Sequence, residues 1–145
     1  MKIVIEEPVE GEEDQIILRC RQMDPELYHL VMNLKARTNP VIGYDGSDIH
    51  RIDPAAIYYF EAVDNKVFIY CRQRVYESRQ RLYEVEDQFA NSDFIRVSKS
   101  VILNINTITC VTPAYSGRFE ATLDNDEKVI ISRQYVPSLK KKLMV

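Results

Sequence analysis

Apolar positions along this chain follow two periods, and the change from one to the other divides it. Between Asp24 and Thr38 they recur at helical spacing, with Leu27, Leu30, Val31 and Leu34 at i, i+3, i+4 and i+7. An acidic N-cap at Asp24, proline at the first helical position and Glu26 in the first turn mark the start. Asn39-Pro40 marks the stop, because a residue before proline is pushed out of the helical region. His29 falls on the polar side of the stripe and reads as a surface residue. From Val41 the pattern alternates or runs continuously apolar, as strands do. Val41–Tyr44 and Ile49–Ile52 are expected to flank a turn at Asp45-Gly46, with a loop longer than two residues. Ile57–Val63 and Val67–Cys71 flank Asp64-Asn65-Lys66, and Val75–Glu77 adds a short strand. Ser78 is placed to cap a second helix carrying Leu82, Val85 and Phe89, which ends at Asn91-Ser92-Asp93.

The stretch Phe94–Ile108, FIRVSKSVILNINTI, organises the C-terminal part of the chain. Phe94–Val97 reads as a strand, Ser98-Lys99-Ser100 interrupts it, and Val101–Leu103 returns to the core before Asn104-Ile105-Asn106 turns the chain. Three more strands are expected at Thr107–Pro113, Arg118–Leu123 and Lys128–Ile131. A last helix starts at Ser132 or nearer Pro137, with Val136, Leu139 and Leu143 inward. Lys140-Lys141-Lys142 suit either the negative end of that helix or a phosphate. At the other terminus Lys2–Ile5 and Gln15–Cys20 read as short strands around the six carboxylates of Glu6–Asp14, a solvated acidic loop. The expected fold is mainly β with a few short helices, a sandwich or partly open barrel. A strand-strand-helix segment (residues 1–40) precedes the β-rich domain (residues 41–145).

Composition narrows the function. At 145 residues and 46% hydrophobic, the chain can bury one core. It has no apolar run of the roughly 20 residues that cross a bilayer and no signal-peptide pattern, so a cytoplasmic protein is expected. Three distant cysteines and two histidines provide neither a disulfide framework nor metal-ligand spacing, and no cofactor is implied. The net charge of −3 is unevenly spread: residues 1–56 hold 6 basic and 11 acidic residues, residues 57–145 hold 13 and 11. A polyanionic partner is thus permitted for the second part.

Three stretches in order, YYFEAVDNKVFIYC, DFIRVSKSVILNINTITCV and VIISRQYVPSLKKKL, with the capped helix between the first two, resemble the LytTR DNA-binding domain over about Ile57–Leu143. The resemblance implies a β-rich regulator that puts loops, not a recognition helix, into successive major grooves of paired direct repeats in promoters. It places the first DNA-contacting loop on Asn65-Lys66-Val67, the second on Ser98-Lys99-Ser100 and the third on Ser132–Tyr135. Lys66, Lys99, Arg133 and Gln134 are then the base-reading candidates, with Arg96, Ser98 and Ser100 suited to phosphates. Lysine can donate to guanine O6/N7 and glutamine can pair with adenine N6/N7; phosphate contacts position without reading sequence. The first ~45 residues are too few for the phospho-receiver domain that many members carry. A stand-alone regulator is therefore expected, as a homodimer and with a small membrane protein that restrains it.

Each residue has a plainer reading beside this one. Lys66 and Lys99 also fit solvated turns, Ser132 a helix cap, Asn104 a turn-fixing side chain, and Tyr58, Phe60, Phe68 and Tyr70 core and cross-strand pairs. The competing function is a β-rich protein–protein interaction module without nucleic-acid binding. An enzyme fits least, since the chain lacks a Gly-rich phosphate loop, HExxH, or a Ser or Cys nucleophile near a histidine. No small-molecule substrate is implied.

Overall fold

The alternation that begins at Val41 becomes a seven-stranded antiparallel sheet in the computed structural model, which describes residues 1–38 and 40–143. Its strands are β1 (Val41–Asp45), β2 (Asp48–Ile52), β3 (Ile57–Val63), β4 (Lys66–Cys71), β5 (Val75–Ser78), β6 (Phe94–Arg96) and β7 (Val101–Asn104), in the spatial order β2-β1-β5-β4-β3-β7-β6. A second antiparallel sheet stacks β10 (Lys128–Ile131), β9 (Phe119–Leu123) and β8 (Ile108–Pro113). Among the described residues, the α-helices that accompany them are α1 (Pro25–Thr38), α2 (Leu82–Gln88) and α3 (Val136–Leu143).

Because side chains alternate along a strand, the large sheet has two apolar faces, and each buries against something different. Phe60, Val67, Ile69 and Ile102 pack against Ala36 of α1 and Leu82, Val85 and Phe89 of the α2 segment. The rings of Phe60, Phe89 and Phe94 meet there with centroids 4.5–5.9 Å apart. On the opposite face Ile95, Val97, Val101 and Leu103 pack against Ala121, Leu123, Val129 and Ile131 of the small sheet and Val136 and Leu139 of α3. Full burial of each such side chain is worth about 1.5–3 kcal/mol. The small sheet does not reach the β1–β2 hairpin side of its face, where Ile49 is 66% and Val75 51% exposed.

Several expectations are corrected. Lys2–Ile5 and Gln15–Cys20 form no strands: residues 1–24 carry no helix or ladder, and Ile3, Ile5, Ile16 and Ile17 are exposed. A strand exists only where its N–H and C=O groups find a partner, and none among the described residues pairs with these runs. The β1–β2 loop is two residues, not longer, since Asp45 pairs with Asp48. Gly46 stands at its first central position with φ +60°, which the hairpin twist favours. Ser78 does not cap α2. It ends β5, buried, and its hydroxyl accepts from the Gln80 N–H (3.1 Å), so the helix starts at Leu82.

The α1 stripe is used less than its spacing implies. Asp24 caps it as expected, accepting from the Leu27 N–H at 2.8 Å, but Leu27, Val31 and Leu34 are half-buried and Leu30 is exposed. Its anchor is polar. His29 is not a free surface residue: its Nε2 lies 2.5 Å from Asp93 Oδ1. Asn33 donates to Asp93 Oδ2 (3.0 Å) and accepts from the Asp93 N–H (2.9 Å). Asn39, half of the expected stop, lies outside the described residues. At the C-terminus α3 begins at Val136 with Pro137 next, and Val136 and Leu139 are buried while Leu143 is 44% exposed. No helix among the described residues is long and apolar enough to cross a membrane.

Candidate nucleic-acid interface

Two turns project from one end of the large sheet, and a third, which follows β10 of the small sheet, is joined to them. The first joins β3 to β4. Val63 pairs with Lys66, leaving a two-residue loop in which Asp64 and Asn65 both have positive φ, 50° and 65°. That is the turn hand that matches strand twist, and Asp and Asn tolerate the left-handed region better than other non-glycine residues. Lys66 is therefore the first residue of β4 and not part of the loop. Its side chain is 60% exposed, with Nζ 3.9 Å from Glu77 Oε1.

The second turn joins β6 to β7. The Val97 N–H donates to Val101 O (3.0 Å) to close it. Ser98 Oγ accepts from the Ser100 N–H (3.2 Å) and lies 3.5 Å from Ser100 Oγ. Arg96 braces the turn from beneath: Nε donates to Ser98 O (2.8 Å), the guanidinium also donates to Lys99 O, and Nη1 donates to Glu86 Oε2 (3.1 Å). Three acceptors thus hold the arginine that the sequence marks for a phosphate, while Lys99 stays exposed at the tip.

The third turn is a single 3-10 turn, Arg133–Tyr135, between β10 and α3, closed by the Tyr135 N–H donating to Ser132 O (2.9 Å). The Ser132 side chain makes no cap bond, so the capping reading of that hydroxyl does not hold. Arg133 and Gln134 are exposed. The stem of Arg133 runs over Gly117, where a Cβ would stand 2.9 Å from Arg133 Cδ and where φ is +76°. Any other residue at 117 would displace Arg133 as well as strain the backbone.

Two backbone hydrogen bonds bind the turns into one unit. The Ala62 N–H donates to Ser100 O (2.8 Å), tying the β3–β4 end to the second turn, and the Ser132 N–H donates to Val97 O (2.8 Å), tying the second to the third. Asn65, Lys66, Ser98, Lys99, Ser100, Arg133 and Gln134 are thereby gathered at one end. Asn104 belongs to the other end, where it is buried, accepts from the Asn106 N–H (3.1 Å) and donates to Ile57 O (2.9 Å). Two of the C-terminal lysines are engaged within the chain. Lys140 stands 4.8 Å over the Phe119 ring, and Lys142 donates to Ser92 O at 2.6 Å. Burial pulls the Lys142 pKa down, against the opposing pull of Asp93.

Beside Lys66 lie residues that the sequence pattern alone did not single out. Glu77 faces it, and the Arg79 guanidinium covers the Tyr44 ring at 4.0 Å. The alternation Val75, Glu77, Arg79 was the available signal, since it puts all three on the face that carries Lys66.

Residues 47–144 match the family model of the LytTr DNA-binding domain. The solved LytTr DNA-binding domain of a putative methyl-accepting/DNA response regulator from Bacillus cereus aligns with a TM-score of 0.68 at 25% identity, over 73% of this chain and 97% of that one. The sensory transduction protein LytT of Enterococcus faecalis is 29% identical over 136 residues, 91% of this chain but 56% of that protein. An uncharacterised HTH-type transcriptional regulator of Staphylococcus aureus (strain bovine RF122 / ET3-1) is 26% identical over 135 residues, 92% of this chain and 91% of that protein. This chain therefore spans little more than half the length of the Enterococcus relative. Both the resemblance drawn from the three stretches and the mainly β fold are borne out. With the match covering more than half of its length, the chain belongs to the LytTr DNA-binding domain family, and it is a DNA-binding domain of the kind found in transcription regulators.

Proposed function

We propose that this chain regulates transcription by reading the major grooves of promoter direct repeats in double-stranded DNA through its three turns. The observation that supports this most is the pair of backbone hydrogen bonds, Ala62 to Ser100 and Ser132 to Val97, which make one rigid head of three separate turns. A head fixed before binding loses little entropy when it docks. Lys66, Lys99, Arg133 and Gln134 read base edges, while Asn65 and the hydroxyls of Ser98 and Ser100 meet the backbone. Arg96 contributes by holding the Lys99 turn in shape. Binding to a promoter fragment, followed by fluorescence anisotropy, should weaken by about 0.9 log unit per tenfold rise in salt for each phosphate contact. Affinity that stays flat from low to moderate salt would sink this reading.

The unpaired apolar residues near the N-terminus favour a protein contact as well, and we assign it to a homodimer built through residues 1–40. Sedimentation should show the full chain as a dimer and an Ile3→Asn/Ile17→Asn variant as a monomer; a monomeric parent removes the assignment. A small membrane protein that restrains the regulator is the further partner implied by the family resemblance. If the chain is instead a protein-interaction module alone, it will bind no duplex at any salt concentration.

A further inference from the structure

The row of positions that carries the first two turns continues beyond them. Lys66 pairs with Val63, and Val67 with Ser78, so Arg79 follows opposite Lys66. Tyr44 pairs with Glu77, which brings Ile42 level with Arg79, and Ile42 pairs with Arg51 of β2. On the other side Glu61 pairs with Val101, which brings Lys99 level with Val63. Residues level with one another across a sheet share a face. Arg51, Arg79, Lys66 and Lys99 therefore stand in one line at the turn end, separated only by Ile42 and Val63. All four cations are exposed. Six strands at a spacing of about 4.8 Å make that line roughly 24 Å long.

Neither Arg51 nor Arg79 forms an ion pair among the described residues, whereas Arg72, Arg74 and Arg96 each have a carboxylate. In a chain of net charge −3, two cations left without counter-charge in one line call for an anionic partner. Arg79 is also held in place. Stacked 4.0 Å from the Tyr44 ring, its guanidinium keeps a fixed position while its N–H edge remains free to donate. Tyr44 lies before residue 47, where the family match begins, so this clamp is supplied by a strand outside the matched region.

We propose that Arg79 and Arg51 carry the DNA-binding surface past the three turns and onto the β1–β2 hairpin, where they take backbone phosphates of the same duplex. This rests on the function proposed above. The contacts carry no sequence information, so they add affinity equally to every duplex and position Lys66 over its groove.

The test is a salt titration of the full chain on a specific and a random duplex, with Arg79→Gln, Arg51→Gln and Arg79→Lys compared with the parent. Each Gln variant should lose about threefold to tenfold in affinity on both duplexes, and its log–log salt slope should become shallower by about 0.9. Arg79→Lys should keep most of the slope. Thermal unfolding separates this from damage to the fold, and if Arg79→Gln unfolds, Arg51→Gln decides alone. A steep slope for the parent with unchanged slopes for the Gln variants overturns the extension and leaves the three-turn reading standing. A flat slope for the parent overturns both.

Discussion

The two ends of β6 are built to opposite rules. At its start, Asp93 collects three side chains from two parts of the chain: His29 and Asn33 from α1, and Asn106, whose amide donates to Oδ2 at 2.7 Å, from the turn after β7. The Asp93 carbonyl also accepts from the Ile105 N–H (2.9 Å), and Lys142 binds the neighbouring Ser92 carbonyl. Beyond its other end, the turn at Ser98–Ser100 is tied down by backbone bonds and by Arg96 from below, leaving the Lys99 side chain unspent. One end uses its polar side chains on itself. The other fixes its backbone and keeps side chains for a partner. A polar group satisfied within the chain contributes stability, whereas an exposed one contributes binding, so substitutions at the two ends should separate these properties.

The largest effect is expected at the Asp93 end. Asp93→Ala strands the Asn33 amide and His29 in a partly buried place and releases the exposed Asn106 amide to solvent, at a cost of about 2–3 kcal/mol in urea unfolding. Duplex affinity of the folded fraction should stay within about twofold of the parent, because no residue of the turn end is touched. A large loss of affinity without loss of stability would erase the contrast. Next in size is Lys99→Ala, which should leave unfolding unchanged but cost about 1–2 kcal/mol of discrimination between specific and random duplexes. Arg96→Ala, by loosening the turn, should weaken both duplexes together. If Lys99→Ala weakened both equally, Lys99 would be a phosphate contact and not a reader.

How far the sequence revealed this division depended on the range of the interaction. The strands from Ile57 onward, the turn residues Asp64 and Asn65 and the polar Ser98–Ser100 interruption were legible, because alternation and turn chemistry are local. The Asp93 cluster was not. His29 and Asn33 are spaced i, i+4 on a helix face that reads as solvent-exposed, and their acceptor lies 60 or more residues away. The partners of Arg96 were hidden for a related reason: its type suits a phosphate, but folding also places two carbonyls of its own turn and Glu86 within reach. Lys2–Ile5 and Gln15–Cys20 failed in the other direction. Their apolar pattern satisfies strand propensity, yet propensity does not provide a neighbour to pair with.

The smallest expected effect, and the one that tests the Asp93 cluster without removing it, is on pH. Burial alone would raise the Asp93 carboxyl, but hydrogen bonds from Asn106, His29 and Asn33 outweigh it and hold its pKa below the ordinary carboxylate range. An unfolded aspartate titrates near about 3.9. Since the folded value is the lower of the two, the stabilisation is complete above the unfolded pKa and is lost as pH falls through the folded one. The gap in unfolding free energy between the parent and Asp93→Asn should therefore hold steady from pH 7 to 5 and narrow from there into strong acid. The slope should be shallow, because burial works against the hydrogen bonds. A gap that stays constant down to pH 2 would mean that Asp93 holds α1 through its shape and its backbone N–H, and not through the charge of its carboxylate.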